Sequence, residues 1–275
     1  MRFRIWGPRG SIAAAGSDTV RYGGDTSAVE VTASSGAKIV LDAGSGIRPL
    51  GVSWEIMSRI DILLSHLHMD HVQGLPFFNP LLDPEIEVHI WGPISTTRDL
   101  RERLSRYLSP PLFPVRVRDL PNVSFHDVLP GEFDIGSVQV EADLVSHPGS
   151  TLGYRLIEDD RVLAYIPDHE PALGDRSFPG KPEWISGFSL VEEADVLIHD
   201  AQYTDDEYSE RVGWGHTSMS QLASFVEAAS VRRLITFHHD PGHSDEMLDR
   251  FHDELRSKLN DVDLVAGTPS VSEEV

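Results

Sequence analysis

Apolar positions recur along this chain in two registers. Short β-branched runs alternate with segments in which apolar side chains return every three or four positions. The helical register is clear over Arg98–Leu108, where Leu100, Leu104, Tyr107 and Leu108 share a face and Arg98, Arg101, Arg103 and Arg106 are left for solvent. Thr217 or Ser218 supplies a cap for a second helix carrying Leu222, Phe225, Val226 and Ala229. A last helix spans Asp245–Leu259, with Met247, Leu248, Phe251 and Leu255 expected inward. Strands alternating with helices predict a layered α/β protein.

The strand-like runs share an ending. Lys38–Asp42, Ile60–His66, Val140–His147, Val162–Asp168, Val196–His199 and Leu234–His238 each close on His or Asp. Open sheets gather binding groups at strand ends, so these side chains are expected to converge on one rim. Between them lie a glycine-rich loop over residues 7–24 and proline-rich connections at 109–121 and 171–182. The polar tail Thr268–Val275 is expected to fray beyond a single domain formed by residues 1–267.

Composition narrows the chemistry. The chain has 275 residues, 40% hydrophobic, enough for one large core. Its apolar runs are too short to span a bilayer, and MRFRIWGPRGS does not read as a signal peptide, so a cytoplasmic location is expected. With no cysteine, disulfides, thiolate zinc sites and cysteine nucleophiles are all excluded. Any metal is held by His, Asp or Glu. A net charge of −21 disfavours folded RNA or DNA as a partner and favours a small anionic substrate met by a locally positive site. Of five tryptophans, Trp6, Trp54, Trp91 and Trp184 are expected in the core, and Trp214 is a candidate wall of a pocket.

The sharpest element is His66-Leu-His68-Met-Asp70-His71. In extended chain, residues two apart point the same way, so His66 and His68 can grip one ion while Asp70 and His71 face a second. Three imidazoles and a carboxylate packed so densely are costly to desolvate without a cation.

This motif resembles that of the metallo-β-lactamase superfamily, HxHxDH followed by a distant His, Asp and His. His147 in LVSHPGS, Asp168 in AYIPDHE and His238 in ITFHHDP follow in that order, and Asp42 in VLDAGSG resembles the superfamily's first acid. The resemblance implies a four-layer αββα sandwich with a dinuclear site at one edge. His66, His68 and His147 would hold one divalent ion, Asp70, His71 and His238 the other, with Asp168 bridging. Asp42 and His199 would support the ligands from behind. His238 is preferred over His239 because it sits where the β-run ends. Nitrogen and oxygen ligands suit zinc, with manganese or iron as alternatives. A metal-bound hydroxide would be the nucleophile.

Two further motifs, His199-Asp200-Ala-Gln-Tyr203 and Gly215-His216-Thr-Ser, resemble those of the ribonuclease Z and phosphodiesterase branch. By that resemblance Asp200 would orient His216, and His216 would bind or protonate a phosphate oxygen. Arg9, in WGPRGSI, is a candidate substrate contact. Ribonuclease Z carries a basic arm for transfer RNA; here the stretch between Asp168 and His199 holds only Arg176 and Lys181 as bases among several acids. The reading is a metal-dependent phosphodiesterase acting on small phosphodiesters such as cyclic nucleotides, with Asp70, Asp200 and His216 as catalytic residues. The alternatives are an RNA-processing nuclease, a thioester or lactone hydrolase (with Tyr203 or Tyr22 serving the lactonase), and a metal-bound sensor or scaffold. A homodimer is compatible with all of them.

Overall fold

β-branched runs become strands because their side chains pack on a pleated surface buried on both faces. In chain order the strands are β1 (Arg2–Gly7), β2 (Ala28–Thr32), β3 (Lys38–Leu41), β4 (Arg59–Leu63), β5 (Glu87–Pro93), β6 (Val123–Val128) and β7 (Gly131–Ile135). They continue with β8 (Val138–Leu144), β9 (Leu152–Glu158), β10 (Arg161–Ile166), β11 (Val196–Asp200), β12 (Arg233–Phe237), β13 (Asp263–Ala266) and β14 (Ser272–Glu274). The helices are α1 (Ile47–Val52), α2 (Met69–Val72), α3 (Leu100–Ser105), α4 (Phe188–Val191), α5 (Asp205–Ser209), α6 (Met219–Ala228) and α7 (Asp245–Lys258). This computed structural model describes residues 1–53, 58–173 and 178–275. Trp54 and Arg176 lie outside the described residues.

Among these residues two seven-stranded sheets form, ordered β14-β1-β2-β3-β4-β5-β6 and β13-β12-β11-β10-β9-β8-β7. Each is mixed: β3 to β6 run parallel in the first, β10 to β13 in the second, and the remaining neighbours pair antiparallel. Alternation along each strand sorts the core into three layers. Ile39 and Leu41 of β3 face Val140, Tyr154, Leu163 and Phe237 across the gap between the sheets. Val40 of the same strand turns outward to pack with Ile47, Leu50 and Phe78 around α1. On the far side Ala164, Leu197 and Leu234 meet Leu222, Phe225, Phe251 and Leu255 from α6 and α7. The result is the expected αββα sandwich.

Several local expectations shift. The helix expected over 98–108 is α3 alone, started by Asp99, whose side chain accepts from Glu102 N; it buries Leu100 and Leu104, and the turns that follow bury Leu108. Ser218, not Thr217, caps α6 by accepting from Gln221 N. In α7, Met247 is exposed, and Asp245 and His252 join Leu248, Phe251 and Leu255 on the buried face. Both find partners there: Asp245 accepts from the Arg21 and Tyr22 amides, and His252 Nε2 meets Thr236 Oγ1 at 2.6 Å.

The tail does not fray. Ser272–Glu274 pairs with Arg2–Arg4 as an edge strand, and Val271 and Val275 pack on the core between the sheets. An outer edge needs main-chain partners rather than apolar side chains, which is why its polarity misled. Trp184 and Trp214 are 68% and 60% exposed, and Trp6 and Trp91 are half-buried against the core, so no tryptophan among the described residues is fully buried.

Candidate metal centre

Five of the six residues that close apolar runs converge, and His199 is the exception. Asp42 follows β3, His66 lies just beyond β4, and Asp168 and His238 follow β10 and β12, all carboxyl ends of parallel strands. The loop after β4 delivers His66 and His68, and α2 then turns Asp70 and His71 inward.

Two sets of ligand atoms share a carboxylate, and a third group, Asp200, His216 and His238, adjoins them. His66, His68, His147 and Asp168 make one; Asp70, His71, Asp168 and His238 make the other, and Asp168 is common to both. In the second set His71 Nε2 lies 3.2 Å from Asp70 Oδ2, 3.1 Å from Asp168 Oδ1 and 3.3 Å from His238 Nε2. His238 Nε2 lies 3.0 Å from Asp70 Oδ2 and 3.3 Å from Asp168 Oδ1. Ligands about 2.0–2.1 Å from a tetrahedral ion sit roughly 3.3 Å apart, so these spacings fit one. The first set is slightly wider: His147 Nε2 is 3.2 Å from His68 Nδ1 and 3.6 Å from Asp168 Oδ2, and His66 Nε2 is 3.7 Å from that oxygen.

Proton placement makes the case for a cation. Four imidazoles direct Nδ1 away from the clusters: His71 to Asp42 Oδ2 at 2.7 Å, His147 to Gly215 O at 2.8 Å, His238 to Gln202 Oε1 at 2.8 Å, and His66 to Ser65 Oγ at 3.1 Å. Their Nε2 lone pairs therefore face one another and the carboxylates. His66 Nε2 and Asp168 Oδ1 are buried with no hydrogen-bond partner. A divalent ion satisfies such a set, and outward Nδ1–H bonds are how ligating histidines are held.

The electrostatics agree. Burial pushes His66, His68 and His147 below the usual imidazole range. Burial opposes charge on His71 too, yet Asp168, Asp70 and Asp42 raise it well above that range, which measures how negative the field at Nε2 is. Asp70 and Asp168 are held far below the carboxylate range despite burial, Asp70 chiefly by His71 and then His238, Asp168 by His238 and His71.

Beside the clusters stands His216, its Nδ1 2.6 Å from Asp200 Oδ2. Its ring stacks on His238 at 5.0 Å and meets His147 edge-on at 5.1 Å, so it touches one ligand of each set. Burial works against its charge, but Asp200 raises it to about 9. Tyr203 packs edge-on against it at 5.6 Å.

Not every candidate belongs to this constellation. Arg9 is fully buried, donating to the carbonyls of Gly23, Asp240 and His243, so it ties two loops together and does not face a substrate. His199 touches neither cluster; its Nε2 meets His169 Nδ1 at 2.9 Å and its Nδ1 bonds Asp200 O, bracing the segment after Asp168. His239 turns away to Gly267 O, and Tyr22 packs on it there.

Other supporting residues carry no spacing signal. Tyr165 reaches from β10 across the sandwich to Asp42 Oδ2 at 2.8 Å, and Ser65 donates to the same carboxylate from N and Oγ. Ser11 N donates to Asp70 Oδ2 at 2.8 Å. Gln202 lies inside the HDAQY motif, so that motif was its one visible signal. Gly10 is fixed sterically: a Cβ there would lie 2.3 Å from His238 Nδ1.

Comparison with known proteins places the molecule. Residues 37–239 match a family model described as the beta-lactamase superfamily domain. The ribonuclease Z of Myxococcus xanthus (strain DK1622) is 25% identical, covering 73% of this chain and 76% of its own. The metallo-beta-lactamase fold protein YhfI from Bacillus subtilis superposes with a TM-score of 0.73 at 16% identity, over 99% of both chains. A diphosphatase from the PhnP family superposes with a TM-score of 0.70 at 17% identity, over 100% of this chain and 97% of its own. No helix among the described residues is long and apolar enough to cross a membrane. With its paired His/Asp clusters at the carboxyl ends of two mixed sheets, this chain belongs to the metallo-β-lactamase superfamily.

Proposed function

We propose that the protein is a metal-dependent phosphodiesterase acting on small phosphodiesters, cyclic nucleotides among them. The observation that carries this reading is the Asp200–His216 pair, set against a ligand of each metal cluster. His66, His68, His147 and Asp168 would hold one divalent ion, and Asp70, His71, Asp168 and His238 the other. Zinc suits these ligands first, then manganese or iron. Such ions supply Lewis acidity and an activated water when bound.

The chain's own residues do the rest. Asp200 accepts a hydrogen bond from His216 Nδ1–H and stabilises the imidazolium, leaving Nε2–H to meet a phosphoryl or leaving-group oxygen. Gln202 and Asp42 hold the rings of His238 and His71 in fixed tautomers. The −21 net charge supports a small anion over folded RNA. Among the described residues between β10 and β11, Lys181 is the only Lys or Arg, and it lies over the ring of Trp184.

A second reading, RNA processing, is supported by the name of the Myxococcus relative. Thioester or lactone hydrolysis needs no phosphate partner at His216, although Tyr203 beside it offers a lactonase a hydroxyl. One panel separates these: a chromogenic phosphodiester, 3′,5′- and 2′,3′-cyclic nucleotides, a transfer RNA precursor, a thioester and a lactone, with zinc- or manganese-loaded protein and Asp70→Asn as blank. Turnover confined to small phosphodiesters is expected. Cleavage of the RNA or of the carboxylic esters with silent cyclic nucleotides would reassign the branch. Stoichiometric metal with no turnover on any of them would favour a sensor or scaffold.

A further inference from the structure

Three stretches of chain that build the site meet at a carboxylate belonging to neither cluster. Glu170, two residues past Asp168, is fully buried. Its N–H donates to Ser146 O at 2.9 Å, pinning the residue that precedes His147. Its Oε1 accepts from Tyr208 Oη of α5 at 2.6 Å and from Gly213 N at 3.0 Å, and its Oε2 accepts from Gly215 N at 2.9 Å.

The chain of contacts then runs into the site. Gly215 O accepts the Nδ1 proton of His147 at 2.8 Å, and the next residue is His216. Gly215 sits at φ +87, where a Cβ would lie 2.4 Å from His147 Nδ1, so only glycine lets this peptide approach the ring. What orients the peptide is the carboxylate on its other side. Removing it strips three donors of their partner, the buried Gly215 N–H among them, and frees the turn that presents both Gly215 O and His216.

We infer that Glu170 is the positioning residue of this centre. Through Gly215 it holds His147 with its proton on Nδ1, which turns Nε2 toward His68 and Asp168. Through the same turn it sets His216 against Asp200. The inference rests on the dinuclear reading above, and concerns which ion depends on which support. The ion held by His66, His68, His147 and Asp168 needs Glu170; the ion held by Asp70, His71, Asp168 and His238 does not.

The test is a calorimetric zinc titration of the wild type, Glu170→Ala and Glu170→Gln, with the His147 ring nitrogens followed by long-range proton–nitrogen NMR. The wild type is expected to take up two equivalents. Glu170→Ala is expected to keep one at wild-type affinity and bind the other about 10–100-fold more weakly, as when a ligand's outer partner is lost, with His147 no longer a single Nδ1–H tautomer. Glu170→Gln still offers Gly215 an amide oxygen and is expected to weaken that same equivalent alone, by no more than about 10-fold, which decides the matter even if the alanine variant does not fold. Two wild-type affinities and an unchanged His147 in either folded variant would overturn the inference, as would both equivalents weakening alike, the mark of general loosening. A wild type that binds fewer than two equivalents refutes the dinuclear reading itself, before any variant is compared.

Discussion

Asp42 Oδ2 and His71 Nδ1 meet at 2.7 Å with both side chains fully buried, and Asp42 holds this place from a left-handed backbone conformation, φ +59, that non-glycine residues seldom adopt. The same carboxylate accepts from Ser65 N, Ser65 Oγ and Tyr165 Oη, so three donors fix it before it fixes the ring. Asp42→Asn keeps the shape but turns an amino group toward one of those donors or toward His71. Zinc affinity at the cluster of Asp70, His71, Asp168 and His238 is expected to fall about 10–100-fold, measured by competition with a chelating dye. Unchanged affinity would show that His71 needs no such partner.

His216 should separate chemistry from metal binding. Its Nδ1 is taken up by Asp200, and its contacts with His147 and His238 are ring against ring. His216→Ala is expected to lower phosphodiester turnover by roughly 10²–10⁴ while both ions stay bound. Metal content by mass spectrometry alongside kcat checks this, and loss of an ion together with activity would make His216 a ligand instead.

Gly10 offers a steric test. A methyl group there would sit 2.3 Å from His238 Nδ1 and 2.5 Å from its Cε1, forcing the ring off Gln202. Gly10→Ala should weaken the ion His238 binds, whereas Gly180→Ala, with nothing within 4 Å, should not. Equal zinc isotherms for the two variants would contradict the geometry.

Acid sensitivity should trace in part to His252, far from the clusters. Burial lowers it from 6.5 to about 4, so the folded chain binds its proton less readily than the unfolded chain does. It costs nothing above pH 6.5; the cost grows as pH falls, at about 1.4 kcal/mol per pH unit, and levels off near pH 4 at about 3 kcal/mol. Urea denaturation of the metal-free protein at pH 7 and pH 4.5 should show a smaller loss in His252→Gln than in the wild type. Parallel losses would remove His252 from the account.

How far the sequence reveals this centre depends on the kind of signal each residue leaves. His66, His68, Asp70 and His71 crowd into one short segment, and Asp42, Asp168 and His238 close apolar runs, so both groups stand out from their surroundings, whereas Asp200 and His216 show only through the resemblance of their motifs. Tyr165, Ser65, Ser11 and Glu170 do not. Tyr165 reads as one more apolar member of β10, and its meaning lies in a hydroxyl that reaches Asp42 across the sandwich. Ser11 contributes a main-chain N–H, which any residue carries. In α7 Met247 is exposed, contrary to its expected inward place, and His252 is buried, which its polarity does not announce until its partner Thr236 on β12 is known. The tail deceived for the converse reason, since an edge strand is held by main-chain pairing.

Each ligand set draws two residues from the first sheet and two from the second. His66 and His68 face His147 and Asp168; Asp70 and His71 face Asp168 and His238. Neither half of the sandwich can therefore hold an ion by itself, and a bound ion acts as a latch across the seam between them. An ion that needs ligands from both sheets would bind the closed molecule more tightly than the open chain, so free metal would be a stability variable. At a concentration about 1,000 times the dissociation constant it adds about 4 kcal/mol per site to the folded state. Removing the metal would then take away that added stability as well as the ion.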